Sequence, residues 1–134
     1  MKLVVDTNVM LVSVSSKSPH HWIFQLFASG EHELCATIDI LLEYQEKFIE
    51  HIGETRAAGI LAAIVEFPNL VQVNTYFNFN LIHNDPDDNK FVDCAIAASA
   101  YCIVTEDNDF KILKTIDFPK VNVLSIAELR NLIF

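Results

Sequence analysis

The sequence predicts an α/β fold with a mainly parallel central sheet. Three observations predict it. Short aliphatic runs alternate with segments whose apolar residues recur at helical spacing. Glycine, proline and capping residues fall between the two kinds of segment and delimit them. Of the 134 residues 51% are hydrophobic, enough apolar material for one buried core.

The elements follow in order. Residues 2–5, KLVV, form the first strand. Ser18 and Pro19 offer an N-cap with proline at the first helical position, and Trp22, Ile23, Leu26 and Phe27 follow at helical spacing until Gly30. Residues 33–36 read as a second strand. A helix is expected from residue 38 to about 52, with Ile38, Leu41, Leu42 and Tyr44 or Gln45 sharing its apolar face. Gly53 breaks it, Thr55 can cap the next, and residues 57–67 are helical until Pro68. Residues 71–73 make a third strand by their period of two.

After a polar loop, Asp85-Pro86-Asp87 repeats the pairing of a cap with a proline. Residues 91–101 then form a largely apolar helix, and residues 102–105 a strand. A short helix lies near residues 110–113, Pro119 punctuates, and residues 121–124 are the last strand. Ser125-x-x-Glu128 is a capping box opening the final helix. No linker, repeat or low-complexity tract divides the chain, so a single domain over residues 1–134 is expected.

Composition restricts the setting. No apolar run reaches about 18 residues, the length of a membrane span, and the N-terminus lacks the pattern of a signal peptide. Cys35, Cys94 and Cys102 are odd in number, far apart and without a CxxC pair, which suits small buried residues in a reducing cytoplasm. The net charge is −9, with nine Lys and Arg against eighteen Asp and Glu. Long-range attraction to phosphates is therefore weak. Clustered carboxylates holding divalent cations, or a basic protein partner, are the two ways to reconcile this acidity with nucleic-acid chemistry.

In an open parallel sheet, sites collect at the carboxyl ends of the strands. Asp6 ends the first strand, and Asp107 falls two residues beyond the strand 102–105, in TEDNDF. Either acid alone could be a turn or cap residue. In HNDPDDNKFVDCAIAASA, Asp85 is placed as an N-cap, and Asp87 and Asp88 suit the first helical turn. Asp93 lies deeper, among Phe91, Val92, Cys94, Ala95 and Ile96, where a lone carboxylate would be costly if buried; on a solvated face it could pair with Lys90. Asp85-x-Asp87-x-Asn89 begins like an EF-hand loop, but Lys90 and Ile96 replace its glycine and glutamate. Glu43, with Glu46 and Glu50, could simply be the wet face of an amphipathic helix.

Four stretches, VVDTNV, LLEYQEKF, DPDDNKFVDCAIAASA and IVTEDNDF, occur in the order and approximate spacing of the PIN-domain family. The chain most resembles the bacterial PIN proteins of toxin–antitoxin pairs, over almost its whole length. The resemblance implies a three-layer α/β/α sandwich and a metal-dependent endoribonuclease using Mg²⁺ or Mn²⁺. The family's four acids would fall on Asp6, Glu43, Asp93 and Asp107, with Asn8 and Thr105 as polar supports. Asp109 could share or replace the role of Asp107, and Asp88 and Glu106 add further charge. On this reading Asp6 and Asp93 bind metal directly, and Glu43 and Asp107 complete the sites directly or through water. It also implies an RNA substrate, a small antitoxin partner and a homodimer.

Hard carboxylate oxygens suit such cations, which can activate water and stabilise a leaving oxygen in phosphodiester hydrolysis. His20, His21, His32, His51 and His83 fall in no arrangement that assigns them a role. A phosphatase of the haloacid-dehalogenase type would need an aspartate where Asn8 stands. The alternative of a different class is a non-catalytic acidic module that binds a basic partner.

Overall fold

The computed structural model describes residues 1–134. Strand β1 (Lys2–Val5) is followed by helices α1 (Thr7–Ser13) and α2 (His21–Ala28), then by β2 (Glu33–Ala36). Helices α3 (Ile38–Ile52) and α4 (Glu54–Val65) lead to β3 (Leu70–Gln72). A 3-10 turn at Pro86–Asp88 opens α5 (Asn89–Ala98), and β4 (Cys102–Val104) follows. A 3-10 helix (Asn108–Thr115), β5 (Val123–Leu124) and α6 (Ile126–Ile133) complete the chain.

The five strands form one all-parallel sheet in the order β3-β2-β1-β4-β5, within a three-layer α/β/α sandwich. The chain builds outward from β1 through β2 to β3, then returns to the other side of β1 for β4 and β5. The reversal point therefore lies between β1 and β4, where Val5 registers with Val104. Parallel strands carry helices on both faces and are buried on both. Accordingly Leu3, Val4, Val5, Leu34, Cys35, Ala36, Cys102, Ile103 and Val104 are all inaccessible or nearly so. No helix is long and apolar enough to cross a membrane.

Several local expectations need correction. Helix α1 was not expected, because VMLV directly after Asp6-Thr7-Asn8 gives no stop or start signal by pattern. Ser18 does not cap a helix at Pro19; α2 starts at His21, and the Ser18 hydroxyl accepts the His20 N–H at 3.1 Å and donates to the Val12 carbonyl. Ser18-Pro19 thus shapes the turn from α1 to α2. Helix α5 ends at Ala98, before the expected residue 101, because Ser99 takes a left-handed conformation at φ 52°.

Helix α3 is rotated relative to the expected face. The Thr37 side chain accepts the Ile40 N–H and starts the helix, so Ile40, Tyr44 and Phe48 point inward while Ile38 and Leu42 stand more than half exposed. Full burial of each large side chain contributes about 1.5–3 kcal/mol. The buried Tyr44 hydroxyl donates to the Val5 carbonyl, tying α3 to the last residue of β1. That bond sets the neighbouring Glu43 beside the end of β1. Gly53, at φ 84°, supplies the break into α4 that a side chain would strain.

Candidate metal centre

Asp6 leaves β1 at the reversal point of the sheet, the usual position of a ligand crevice in such folds. Its N–H extends the ladder to the Val104 carbonyl at 3.0 Å, and its side chain turns to β4. There Thr105 Oγ1 donates to Asp6 Oδ2 at 2.7 Å, and the same hydroxyl accepts the Asp107 N–H at 3.0 Å. Burial raises the Asp6 pKa; bonds from Thr105 and the Thr7 N–H oppose the rise, while the charges of Asp107 and Glu43 add to it. Asp107 Oδ1 accepts the Asp109 N–H at 2.9 Å and caps the following 3-10 helix.

Glu43 reaches the same region from α3. It accepts a hydrogen bond from the Thr7 hydroxyl and an ion pair from Lys90, whose Nζ lies 2.6 Å from Oε1. Lys90 also pairs with Asp87 at 3.2 Å. Burial works to lower the Lys90 pKa, but hydrogen bonds to Glu43 and Asp87 outweigh it and leave the pKa raised. Lys90 is thus committed elsewhere, and a pairing with Asp93 is not formed.

Asp88 occupies the end of the 3-10 turn that opens α5. One of its oxygens, Oδ2, is buried without a hydrogen-bond partner. Burial, then the carboxylates of Asp85, Asp107, Asp6 and Asp109, pushes its pKa up to about 7. Oxygens of Asp85, Asp88 and Asp109 lie within 4.8 Å of one another. Asp93 behaves differently. It is buried, at 6% exposure, but its Oδ1 accepts the Phe79 N–H at 3.2 Å. Burial raises its pKa and that bond opposes the rise; no other acid contributes.

Asp6, Glu43, Asp88, Asp107 and Asp109 are therefore linked electrostatically or by shared partners, whereas Asp93 shares a polar cleft with Glu43 but no hydrogen-bond or ion-pair partner with any of them. Asn8 is exposed and borders another cavity, of about 610 Å³, with Val12, Trp22 and Ile126. Glu106 accepts the Ile126 N–H at 2.7 Å, which explains it as a cap for α6. A positional signal for Asp88 exists in the sequence. A crossover helix starts at the edge where strands end, so its first turn, not its middle, meets Asp6. At about 1.5 Å rise per residue, Asp93 lies roughly 7 Å further along the axis.

A carboxylate oxygen buried without a partner, on an acid whose pKa is raised by burial and by the carboxylates around it, calls for a cation. The donors are all hard oxygens, and Lys90 is the one ammonium in the group. This donor set fits Mg²⁺ or Mn²⁺.

A family model of the PIN domain matches residues 2–109. No curated protein matches the chain in sequence. Among solved structures, the chain is similar to VapBC2 from Rickettsia felis bound to a DNA fragment from their promoter. That likeness has a TM-score of 0.65 and 15% identity, covering 93% of this chain and 98% of the other. DNA-bound VapBC from Salmonella typhimurium gives 0.61 and 15%, covering 94% and 98%. The PIN domain endonuclease Utp24 gives 0.54 and 16%, covering 92% and 84%. At these identities the structural likeness speaks to the fold.

Proposed function

The chain belongs to the PIN-domain family, and from that premise we propose that it is a metal-dependent endoribonuclease. The observation that carries the reading is the unpartnered, buried Asp88 Oδ2 within the charge field of Asp6, Asp107 and Asp109. In this reading Asp6, Glu43, Asp88 and Asp107 hold Mg²⁺ or Mn²⁺, with Asp109 assisting. Asp88 takes the place that the family resemblance gave to Asp93.

A bound divalent cation would neutralise the phosphodiester and acidify the attacking water. The protein's own groups prepare the place. Thr105 holds one oxygen of Asp6 and leaves the carboxylate further lone pairs for a cation. Thr7 and Lys90 fix both oxygens of Glu43. Lys90 supplies a counter-charge to Glu43, which limits repulsion across the cleft.

We extend the proposal to biological setting. Two of the similar structures are VapBC complexes, so the chain is proposed as the toxin of a toxin–antitoxin pair, acting on RNA in the cytoplasm as a homodimer. Its excess of acids favours a basic inhibitory partner. The same charge supports the second reading, an acidic module that binds such a partner without cleaving anything. Incubating several RNAs with wild type and Asp6→Asn, in Mn²⁺ and in EDTA, separates the two. Cleavage by wild type in Mn²⁺ alone supports the nuclease. Equal cleavage by Asp6→Asn, or none by wild type, removes it.

A further inference from the structure

Strand β3 ends at Gln72, on the same carboxyl edge as Asp6, and the chain then runs through residues 73–80, VNTYFNFN. Three aromatic side chains here stand in solvent: Tyr76 is 84% exposed, Phe77 75% and Phe79 40%. The Phe77 and Phe79 rings lie 6.5 Å apart. Asn78 and Asn80 flank Phe79, Asn74 lies two residues before Tyr76, and no Lys or Arg occurs between Arg56 and Lys90. A patch of exposed rings is unusual unless something covers it.

The segment is anchored, and it adjoins the proposed metal centre. Asp93 Oδ1, from α5, accepts the Phe79 N–H at 3.2 Å. Asn78 and Asn80 line a polar cleft of about 410 Å³ together with Glu43 and Asp93. From β1 to β3 is two strand spacings, roughly 10 Å.

We propose that residues 76–80 form a stacking platform for single-stranded RNA, receiving bases near the scissile phosphate. Tyr76, Phe77 and Phe79 offer ring faces, and Asn78 and Asn80 offer donors and acceptors to base edges. Asp93 is a positioning residue that holds the platform through Phe79. The inference rests on the nuclease reading, and charge gives it its logic. A chain of net charge −9 gains little from phosphate attraction, whereas stacking on aromatic rings is uncharged and tolerates any base. Bases within a duplex are already stacked, so the platform selects single strands.

The test measures binding rather than cleavage, on the full-length Asp6→Asn protein in Mg²⁺, by anisotropy of labelled oligouridylate and oligoadenylate. A labelled hairpin duplex is the control. Adding Tyr76→Ala or Phe77→Ala should weaken single-strand binding on the order of tenfold each with Tm unchanged. Raising salt from about 50 to 200 mM should weaken wild-type-platform binding by only a few-fold, against the several decades expected of phosphate contacts. Asp93→Asn, which keeps an oxygen for the Phe79 N–H, should bind normally, and Asp93→Leu should lose affinity at the same Tm. Unchanged binding in the aromatic variants overturns the platform, as does equal affinity for the duplex. A change in sedimentation with RNA binding intact also overturns it, by making the rings a protein interface. Cleavage by the otherwise wild-type protein is scored separately, so the nuclease reading and the platform can fail independently.

Discussion

Thr105 Oγ1 donates a 2.7 Å hydrogen bond to Asp6 Oδ2 across 99 positions of sequence. It joins the ends of β1 and β4, the two strands between which the sheet order reverses. The same hydroxyl receives the Asp107 N–H, so one oxygen orients both acids. Both Thr105 and Asp6 are buried, which puts the bond where water cannot replace it.

Thr105→Val keeps the shape and removes the donor. Hydrogen bonds to charged groups contribute about 1.5–3 kcal/mol, so urea unfolding should show a loss of that order. RNA cleavage should fall roughly tenfold, as when an orienting partner of a metal ligand is removed. Thr105→Ser should recover most of both. A valine variant equal to wild type would contradict the role given to the hydroxyl.

Asp88 gives a pH dependence in the metal-free protein. Its pKa rises from 3.8 to about 7 in the folded chain, through burial and then the charges of Asp85, Asp107, Asp6 and Asp109. Between these values the folded state holds a proton that the unfolded state releases, so stability falls as pH rises through the interval. In EDTA, Tm should therefore drop less steeply for Asp88→Asn than for wild type between about pH 5 and 7.5. Asp6, also raised, contributes in the same direction. Parallel profiles for the two proteins would place Asp88 outside the charge cluster.

Divalent metal should reverse that loss. A cation that binds only the folded protein at about a hundred times its Kd adds roughly 2.7 kcal/mol. For a chain of this size the rise in Tm is on the order of 5–10 °C. Differential scanning at pH 7.5 with Mn²⁺, with Mg²⁺ and with EDTA reads it directly. An unchanged melting curve in millimolar metal would count against the centre.

Asn89 secures the turn that carries Asp88. Its Oδ1 accepts the Ile82 N–H at 2.9 Å, and its Nδ2 donates to the carbonyls of Ile82 at 2.9 Å and Pro86 at 3.1 Å. Asn89→Ala leaves buried backbone groups unpaired and should cost about 2–3 kcal/mol. It should also weaken the metal-induced rise in Tm, because the Asp88 turn loosens. A variant that is destabilised but keeps the full metal response would show Asn89 to be structural alone.

Much of the fold is legible in the sequence, for local reasons. KLVV and CIV are short aliphatic runs with clear stops, ELCA carries a weaker signal of the same kind, and Ser125 and Glu128 form the reciprocal capping box their spacing implies. Helix α1 is hidden because Val9, Met10, Leu11 and Val12 lack either period, and only packing against α2 and α3 decides them. The face of α3 depends on the Thr37 cap and the Tyr44 bond to β1, neither of which periodicity contains. The helix dipole accounts for Asp88, and apolar neighbours make Asp93 stand out; what distinguishes the two in the fold is position along α5 relative to the sheet edge, which is tertiary information.

The most direct test of the central claim compares metal-dependent RNA cleavage by wild type, Asp88→Asn and Asp93→Asn under single-turnover conditions at saturating RNA. Asp88→Asn should lose about a hundredfold or more of the cleavage rate, since it removes a charge that the metal chemistry needs. Asp93→Asn should stay within about threefold of wild type, because its amide oxygen still accepts the Phe79 N–H. The opposite ranking, with Asp93→Asn inactive and Asp88→Asn unimpaired, would contradict the site described here.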